Sequence, residues 1–209
     1  QTNRLGAGFN PDGRGAVWAA VLERENGLAV RELISGRERR VVEDLPTTIR
    51  GTVTAGVTPS PDGTLVLAAD LVNGLRLWET NPWRRRFAWP GQPYYSGLSP
   101  TARWAFAVDA TGRVQLFATA DGREVPFAIQ HGPFPSVEFT ADERWLLTAG
   151  QDGLARLWNL ADGQLLREFS SGVRNLNAVV CSPEHRRLAA GSLAGTVVMW
   201  DLVTGREVF

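Results

Sequence analysis

The sequence contains no lysine. Its 22 basic residues are all arginine, and 22 acidic residues balance them to a formal net charge of zero. A protein that binds nucleic acid usually carries a basic excess, because neutralising phosphates supplies much of its affinity. The balance of charge therefore argues against nucleic acid as a partner, and the exclusive use of arginine is typical of a GC-rich genome.

Cysteine and histidine are also scarce. The chain has one cysteine, Cys181, and two histidines, His131 and His185. A single cysteine excludes an intrachain disulfide and fits a reducing compartment, so we expect a cytoplasmic protein. This supply of ligands matches no zinc pattern, and we expect neither a metal nor another cofactor.

Long apolar runs are missing too. None approaches the roughly 20 residues of a membrane-spanning helix, so the sequence predicts no membrane partner. The apolar content of 44% is that of a globular domain. The chain opens on Gln1 rather than on methionine. We interpret it as a segment of a longer protein, and we expect further repeats or attached domains of the same chain as additional partners.

Turn sequences, in contrast, are abundant. A tetrapeptide that begins with Ser, Thr or Asn recurs at intervals of 39 to 50 residues. Proline, present in most copies, presets φ for the second position of a tight turn, and the preceding side chain can bond the backbone ahead. We therefore predict a tight turn between two strands in each copy. The copies begin at Asn10, Ser60, Ser99, Thr140 and Ser182.

A second landmark has the same period. An aromatic residue closes a β-rich run in four places, at Trp78, Phe117, Trp158 and Trp200. A fixed period of about 40 residues is the signature of a repeat architecture. The two landmarks divide the chain into five units, at about 1–50, 51–90, 91–131, 132–173 and 174–209.

Each unit holds short β-rich runs between turn residues. Pairs such as Asp152-Gly153 are preferred two-residue hairpin turns, so each unit is interpreted as four antiparallel strands. The run over 104–108 is apolar at consecutive positions, which indicates a sheet covered on both faces. Small sheets that cover one another around an axis form a β-propeller. We predict an all-β fold of about five four-stranded blades, with the closing aromatic residues packed between neighbouring blades.

The residues that close the units resemble those of a known family. Leu157-Trp158-Asn159 and above all Met199-Trp200-Asp201 look like the Trp-Asp dipeptide of the WD-repeat β-propellers. Thr204-Gly205-Arg206-Glu207 looks like the last turn of that repeat, in a divergent form common among bacterial arrays. The resemblance implies a ring that most often has seven blades. Because seven units need roughly 290 residues, we expect this chain to be an open part of a larger ring.

The resemblance also implies a hydrogen-bonded set of Asp, His, Ser or Thr, and Trp in each blade. The fourth unit has Asp152 and Trp158, and Gln130-His131 stand near the usual Gly-His, but Gly150 stands where a hydroxyl residue is typical. We expect the set to be incomplete in every unit, and the blades to be held mainly by packing and by hydrogen bonds between strands. The fifth unit has Ser192 and Trp200, with Ala194 in place of Asp.

Candidates for catalysis are few. Cys181 and His185 could form a thiol–imidazole pair, but the cysteine ends a strand and the histidine lies in the following turn. We favour a packed cysteine and a turn histidine. The carboxylates, among them Asp109 and Glu138, show no spacing that indicates acid–base work. We expect no catalytic residues and no enzyme.

The densest cluster of interface-type residues is Trp83-Arg84-Arg85-Arg86-Phe87-Ala88-Trp89, followed by Tyr94-Tyr95. Trp, Tyr and Arg dominate the binding energy of protein interfaces. Part of this cluster must be the outer edge strand of a sheet, where charged side chains prevent aggregation. We favour an edge guarded by arginines and keep a partner-contact patch as the alternative. Its candidate contact residues are Trp83, Arg84, Arg85, Trp89 and Tyr94.

The resemblance implies a second set of candidates, on the loops of the family's usual interaction face. These loops enter the first strand of a unit or precede its second hairpin turn. The candidate partner-binding residues on them are His131, Phe134, Gln151, Arg174, Asn177 and Leu193, together with Tyr94.

The favoured function is a non-catalytic scaffold that binds protein or peptide, as one domain of a larger signalling or regulatory protein. The alternative is a propeller that binds a small ligand or acts as an enzyme through its central channel. Charged side chains with strongly shifted pKa values in a pocket would favour the alternative. An open face of aromatic and arginine side chains would favour the scaffold.

Overall fold

A computed structural model describes residues 5–9, 16–22, 27–32, 38–41, 54–70, 74–133, 135–182, 184 and 186–209. Within this part of the chain every regular element is a β-strand. The described residues contain no helix of the length and apolar character needed to cross a membrane. The predicted all-β fold class is therefore confirmed.

The first two units each form a four-stranded antiparallel sheet, in which every strand pairs with its neighbour in sequence. The first sheet consists of β1 (Leu5–Phe9), β2 (Ala16–Leu22), β3 (Gly27–Glu32) and β4 (Glu38–Val41). The second consists of β5 (Thr54–Pro59), β6 (Leu65–Asp70), β7 (Gly74–Thr80) and β8 (Trp83–Trp89).

The later units repeat this plan, with four strands in the third and fourth sheets and three in the fifth. The third sheet consists of β9 (Pro93–Leu98), β10 (Trp104–Asp109), β11 (Arg113–Ala118) and β12 (Glu124–Gln130). The fourth consists of β13 (Ser136–Phe139), β14 (Trp145–Ala149), β15 (Leu154–Asn159) and β16 (Leu165–Ser170). The fifth consists of β17 (Leu176–Cys181), β18 (Arg187–Ser192) and β19 (Val197–Asp201).

The turns between the first and second strands of a sheet share one hydrogen bond. The hydroxyl that opens the turn accepts the backbone N–H five residues later, which links the turn to the start of the next strand. This confirms the predicted turns, apart from the one at Asn10, which lies outside the described residues. The bonds join Ser60 to Leu65 (2.8 Å), Ser99 to Trp104 (3.0 Å), Thr140 to Trp145 (3.1 Å) and Ser182 to Arg187 (3.0 Å).

The chain forms two compact regions, one of residues 1–109 and 116–125 and the other of residues 110–115 and 126–209. In the first, the closing aromatic Phe117 packs with its ring centroid 5.4 Å from that of Trp89 and 6.1 Å from that of Phe87. Both partners lie on the outer strand of the preceding sheet. The predicted position of a closing aromatic between sheets is confirmed here.

The second compact region repeats this contact. Trp200 of the fifth sheet packs against Phe169 of β16, with ring centroids 5.8 Å apart. Phe169 and Trp89 hold the same place in their sheets, since Phe169 pairs with Ala155 and Trp89 with Leu75. A buried apolar cluster extends from this contact across both sheets and includes Leu147, Leu157, Leu176, Val179, Leu188 and Val198.

Candidate interaction face and its buried network

A buried hydrogen-bond network joins three elements of the second compact region. Thr148 on β14 is 0% exposed. Its Oγ1 lies 2.8 Å from Nε1 of Trp158 on β15, which donates to it. The same oxygen lies 2.5 Å from Nε2 of His131, which follows β12. The threonine hydroxyl thus anchors both the closing aromatic of the sheet and the loop that leads into it.

Arg156 closes the network on its other side. Its NH1 lies 2.6 Å from Nδ1 of His131 and 2.6 Å from Oδ2 of Asp152, and its Nε lies 2.7 Å from a Glu168 oxygen. A guanidinium has donors only, so Nδ1 of His131 must accept. We therefore assign the proton of the neutral imidazole to Nε2, which donates it to Thr148, and Nδ1 also lies 3.4 Å from Oδ2 of Asp152.

The electrostatics agree with a neutral histidine. Burial lowers the pKa of His131, and the positive charge of Arg156 adds to this, against the opposing effect of Asp152 and Glu168. Burial would raise the pKa of Asp152, but hydrogen bonds from Arg156 and from the Leu154 amide outweigh it and hold that pKa below its usual value. At neutral pH the cation of Arg156 thus lies between two carboxylates and an uncharged ring.

The expectation that the family's hydrogen-bonded set is incomplete in every unit is wrong for the fourth. Asp152, His131, Thr148 and Trp158 form it, with Arg156 bridging the aspartate and the histidine. Leu146 pairs with Trp158, and Thr148 lies two residues further along β14 on the same face of the sheet as Trp158. The hydroxyl therefore comes from Thr148 rather than from position 150. The network therefore supports this sheet in addition to packing and strand pairing.

The fifth sheet shows what the hydroxyl contributes. Leu188 pairs with Trp200, so the position that corresponds to Thr148 is Ala190. Nε1 of Trp200 is buried and has no hydrogen-bond partner among the described residues. Ser192, the hydroxyl residue expected to take part, instead accepts the backbone N–H of Thr196 within its own turn.

The order Thr148, His131, Asp152 superficially matches a catalytic triad. A nucleophile must reach its substrate, whereas Thr148 is fully buried and its oxygen already accepts two hydrogen bonds. Burial also raises the pKa of the Cys181 thiol to about 11, with nearby carboxylates adding to the effect. The thiol is therefore protonated at neutral pH, and its suggested partner His185 lies outside the described residues.

Above the network, backbone hydrogen bonds bring several predicted contact residues together. The N–H of Asn175 donates to the carbonyl of Gln151 (3.3 Å), and the N–H of Leu193 donates to the carbonyl of Asn175 (3.2 Å). The turn after β14, the loop before β17 and the turn after β18 therefore form one surface. We name it the loop cluster, and it consists of the exposed residues Gln151, Arg174, Asn175, Asn177 and Leu193.

Leu193 is the most exposed apolar residue of the loop cluster, at 72%. Asn175 was not among the predicted contacts. It adopts φ +57°, a left-handed conformation that asparagine tolerates better than most residues, so its residue type is the sequence signal that could have drawn attention to it. His131, predicted as a contact or a structural residue, is buried and acts through the network. Phe134 lies outside the described residues.

Strand β8 comprises the whole aromatic and arginine run, Trp83–Trp89, of which the sequence predicted only a part as an edge strand. Trp89 and Phe87 pack against Phe117 and are partly buried. Arg84 and Arg85 are exposed. Tyr94 is 41% exposed on the neighbouring β9. The arginines, rather than the tryptophans, thus form the accessible surface of this strand.

No group of three or more His, Cys, Asp or Glu residues in the described part of the chain is arranged to hold a metal ion.

Comparison with known proteins supports the repeat assignment. The model of the WD domain, G-beta repeat, matches residues 128–159 and 163–201, in the fourth and fifth units. Apoptotic protease-activating factor 1 of Mus musculus is 25% identical over 146 residues, which cover 68% of this chain and 11% of that protein. Serine-threonine kinase receptor-associated protein of Homo sapiens is 28% identical over 159 residues, covering 74% and 44%.

The fold is also found among solved structures. A chain in the crystal structure of the mitotic checkpoint complex aligns with a TM-score of 0.73 and 16% identity, over 97% of this chain and 64% of that one. This chain spans 11% and 44% of the two curated relatives named above, which is less than half of each. The repeat match, the relatives and the repeated sheet geometry agree, and this chain is similar to the WD-repeat β-propellers.

Proposed function

We propose that this protein is a non-catalytic scaffold that binds a protein or peptide partner through the loop cluster. The observation that carries the proposal is an exposed leucine, Leu193, on one surface with Arg174, Gln151 and two asparagines. A single exposed apolar residue is ordinary on a protein surface, so the support comes from its combination with an arginine and hydrogen-bonding side chains on one surface, a composition that suits protein binding. The cluster is built on backbone hydrogen bonds between loops, so its shape is already formed before a partner arrives.

The buried network gives this face a rigid base. Asp152 directly follows Gln151, and it is held by Arg156, which is held in turn by Glu168 and His131. A preformed surface loses less conformational entropy on binding than a mobile loop does. The known relatives support the same proposal, since one is named as a receptor-associated protein and the aligned structure is that of a complex.

The alternative of an enzymatic or small-ligand propeller has less support. The charged groups with shifted pKa values in the network contact one another, and the His131 side chain has no exposed surface. They serve as mutual partners rather than as groups that await a substrate. The proposal therefore includes no catalytic role, and it keeps the expected cytoplasmic location without nucleic acid or membrane as partners.

We further propose that the fifth sheet packs against another sheet of the same kind. Val197 follows the turn glycine of its sheet by two residues, as Ala155 does in the fourth sheet. Ala155 is 0% exposed beneath the fifth sheet, whereas Val197 is 52% exposed, and Val180 on the same sheet is 55% exposed. This exposed apolar face supports the idea that the sheet belongs to a larger propeller.

A site-specific crosslinker tests the proposed interaction face. A photoreactive amino acid at position 193 should capture a discrete protein partner in cells, and the additional change Arg174→Glu should reduce the yield several-fold. Val203 provides the matched control, because it is a similarly exposed apolar residue in the turn at the opposite end of β19. Equal capture from positions 193 and 203, or no effect of Arg174→Glu, would overturn the proposal.

A further inference from the structure

In the described part of the chain, strand β8 is an edge strand of the second sheet. It is the last strand of the second sheet, in the order β5-β6-β7-β8, and it spans seven residues without a proline. The corresponding edge strand β12 has the same length but contains Pro126, which cannot donate a backbone hydrogen bond. An edge strand of this kind presents unpaired N–H and C=O groups that can pair with another strand.

Three consecutive arginines occupy this edge. Arg84 donates to a Glu79 oxygen at 2.9 Å, and Arg86 donates to the same oxygen at 2.6 Å and to the Thr119 carbonyl at 3.2 Å. Arg85 is exposed and has no ion pair with any described residue. One carboxylate therefore serves two arginines, and the edge keeps a local positive excess.

The strand register places this charge on both faces of the edge. Arg84 pairs with Glu79, and Arg85 pairs with Trp78 on the opposite face of the sheet. Cross-strand pairs of opposite charge are favourable, and like charges placed opposite each other are unfavourable. The pair of Glu79 and Arg84 is thus a model, within the sheet, of the contact that a strand added to the outer side would make.

The same arginines decide which strands the edge accepts. A second copy of β8 would bring arginine against arginine, so self-pairing is disfavoured. A neutral strand would gain backbone hydrogen bonds alone. We propose that β8 binds an extended acidic segment of a partner protein, which adds to the second sheet as a fifth strand through backbone pairing and contacts to Arg84 and Arg85.

This surface is independent of the loop cluster. The acidic segment would bind the second sheet, whereas the loop cluster belongs to the fourth and fifth sheets. The inference shares with the proposed function only the idea of a protein partner, and a failure of either leaves the other standing.

Fluorescence anisotropy with synthetic peptides tests the inference. The probe is a labelled peptide of alternating glutamate and valine, about ten residues long, and a peptide with lysine in place of glutamate is its counterpart. We expect the acidic peptide to bind at least about tenfold more tightly, and Arg84→Glu with Arg85→Glu to remove this preference. Arg144→Glu, at an exposed arginine in a turn, should leave binding unchanged. Equal affinity for both peptides would overturn the inference.

Backbone methylation of the peptide separates strand addition from simple charge attraction. Alternate amides of an added strand face β8, so N-methylation in one register should weaken binding about tenfold or more, whereas methylation in the other should not. Amide hydrogen exchange should slow within β8 when the unmodified peptide is bound. Equal effects of both methylation registers, or unchanged exchange in β8, would refute strand addition.

Discussion

At the scale of single residues, Thr148 has the largest role that the structure reveals. It is the acceptor for two buried N–H groups, from Trp158 and His131, that come from different elements. In the fifth sheet an alanine takes its place, and the closing Trp200 keeps a buried nitrogen without a partner among the described residues. Between two repeats of this chain, a single hydroxyl thus separates a closing tryptophan with a hydrogen-bond partner from one without a partner among the described residues.

The first prediction compares these two sheets. Thr148→Val keeps the side-chain shape but leaves two buried donors without an acceptor, so we expect a loss of about 2 to 4 kcal/mol in the free energy of unfolding. Ala190→Ser brings a hydroxyl near Trp200, and we expect a gain of about 1 kcal/mol. Urea denaturation of both variants measures these changes. If Thr148→Val changed stability by less than about 0.5 kcal/mol, the role given to the network would be wrong.

The second prediction concerns pH. The pKa of His131 is lowered in the folded state, so the unfolded chain takes up the proton first as the pH falls. The stability that the neutral ring contributes is therefore complete above about pH 6.5 and declines as the pH falls towards the lower folded pKa. The slope cannot exceed about 1.4 kcal/mol per pH unit for one proton.

Denaturation between pH 5 and pH 8 measures this slope, with His131→Gln as the test and His185→Gln as the control. The glutamine at position 131 should flatten the profile, and the control should retain it. Glu138, whose pKa burial raises, titrates with the opposite sign, and the comparison between variants removes its contribution. An unchanged profile in His131→Gln would show that another group titrates.

At the scale of structural elements, the hairpin turns between second and third strands are the most regular feature. Each described turn contains a glycine with positive φ in the same place, such as +81° at Gly153 and +83° at Gly195. The turns differ in their surroundings. A side chain at Gly153 would lie 2.6 Å from the carbonyl of Val173, whereas nothing lies within 4 Å at Gly195.

The third prediction uses this matched pair. Gly195→Ala should lower the free energy of unfolding by about 1 kcal/mol, because alanine resists a left-handed conformation. Gly153→Ala carries the same backbone strain and also displaces the loop before β17, so we expect a further loss of about 1 to 3 kcal/mol. Thermal and urea unfolding of the two variants report the difference. Equal losses would show that the contact with Val173 has no influence on stability.

At the scale of the whole molecule, the way in which sheets cover one another decides which apolar residues are exposed. The fourth sheet has Leu147 and Ala155 beneath the fifth, and both are fully buried. The fifth sheet carries Val197 on its other face, half exposed. Because Ala155, the counterpart of Val197 in the preceding repeat, is buried, we propose that this face of the fifth sheet is also packed against another sheet.

The fourth prediction tests this face. In the 209-residue chain, Val180→Glu with Val197→Glu should change the free energy of unfolding by about 0.5 kcal/mol or less, since both positions are exposed. The same double change should reduce self-association, as measured by analytical ultracentrifugation. Ala155→Glu, at the corresponding covered position, should unfold the second compact region. A severe loss of stability from the Val180 and Val197 changes would contradict an exposed face.

The strands and turns were largely predictable from the sequence. Gly153 and Gly195 mark turns because they adopt a conformation that other residues resist, and the turn hydroxyl at Thr140 acts within five residues of itself. The full extent of β8 was not predicted, because Trp83, Arg84 and Arg85 carry no alternation that separates a strand from a turn. Thr148 was missed because its role depends on which residue lies opposite it.

What the sequence determined by itself is therefore local: where strands begin, which residues turn the chain, and the period of the repeat. These features depend on the backbone preferences of neighbouring residues. Only the tertiary structure decided that Arg156 reaches His131, 25 positions away, and that Gln151, Asn175 and Leu193 share one surface. Such contacts depend on strand register and on the packing of loops against sheets, which the order of residues along the chain does not display.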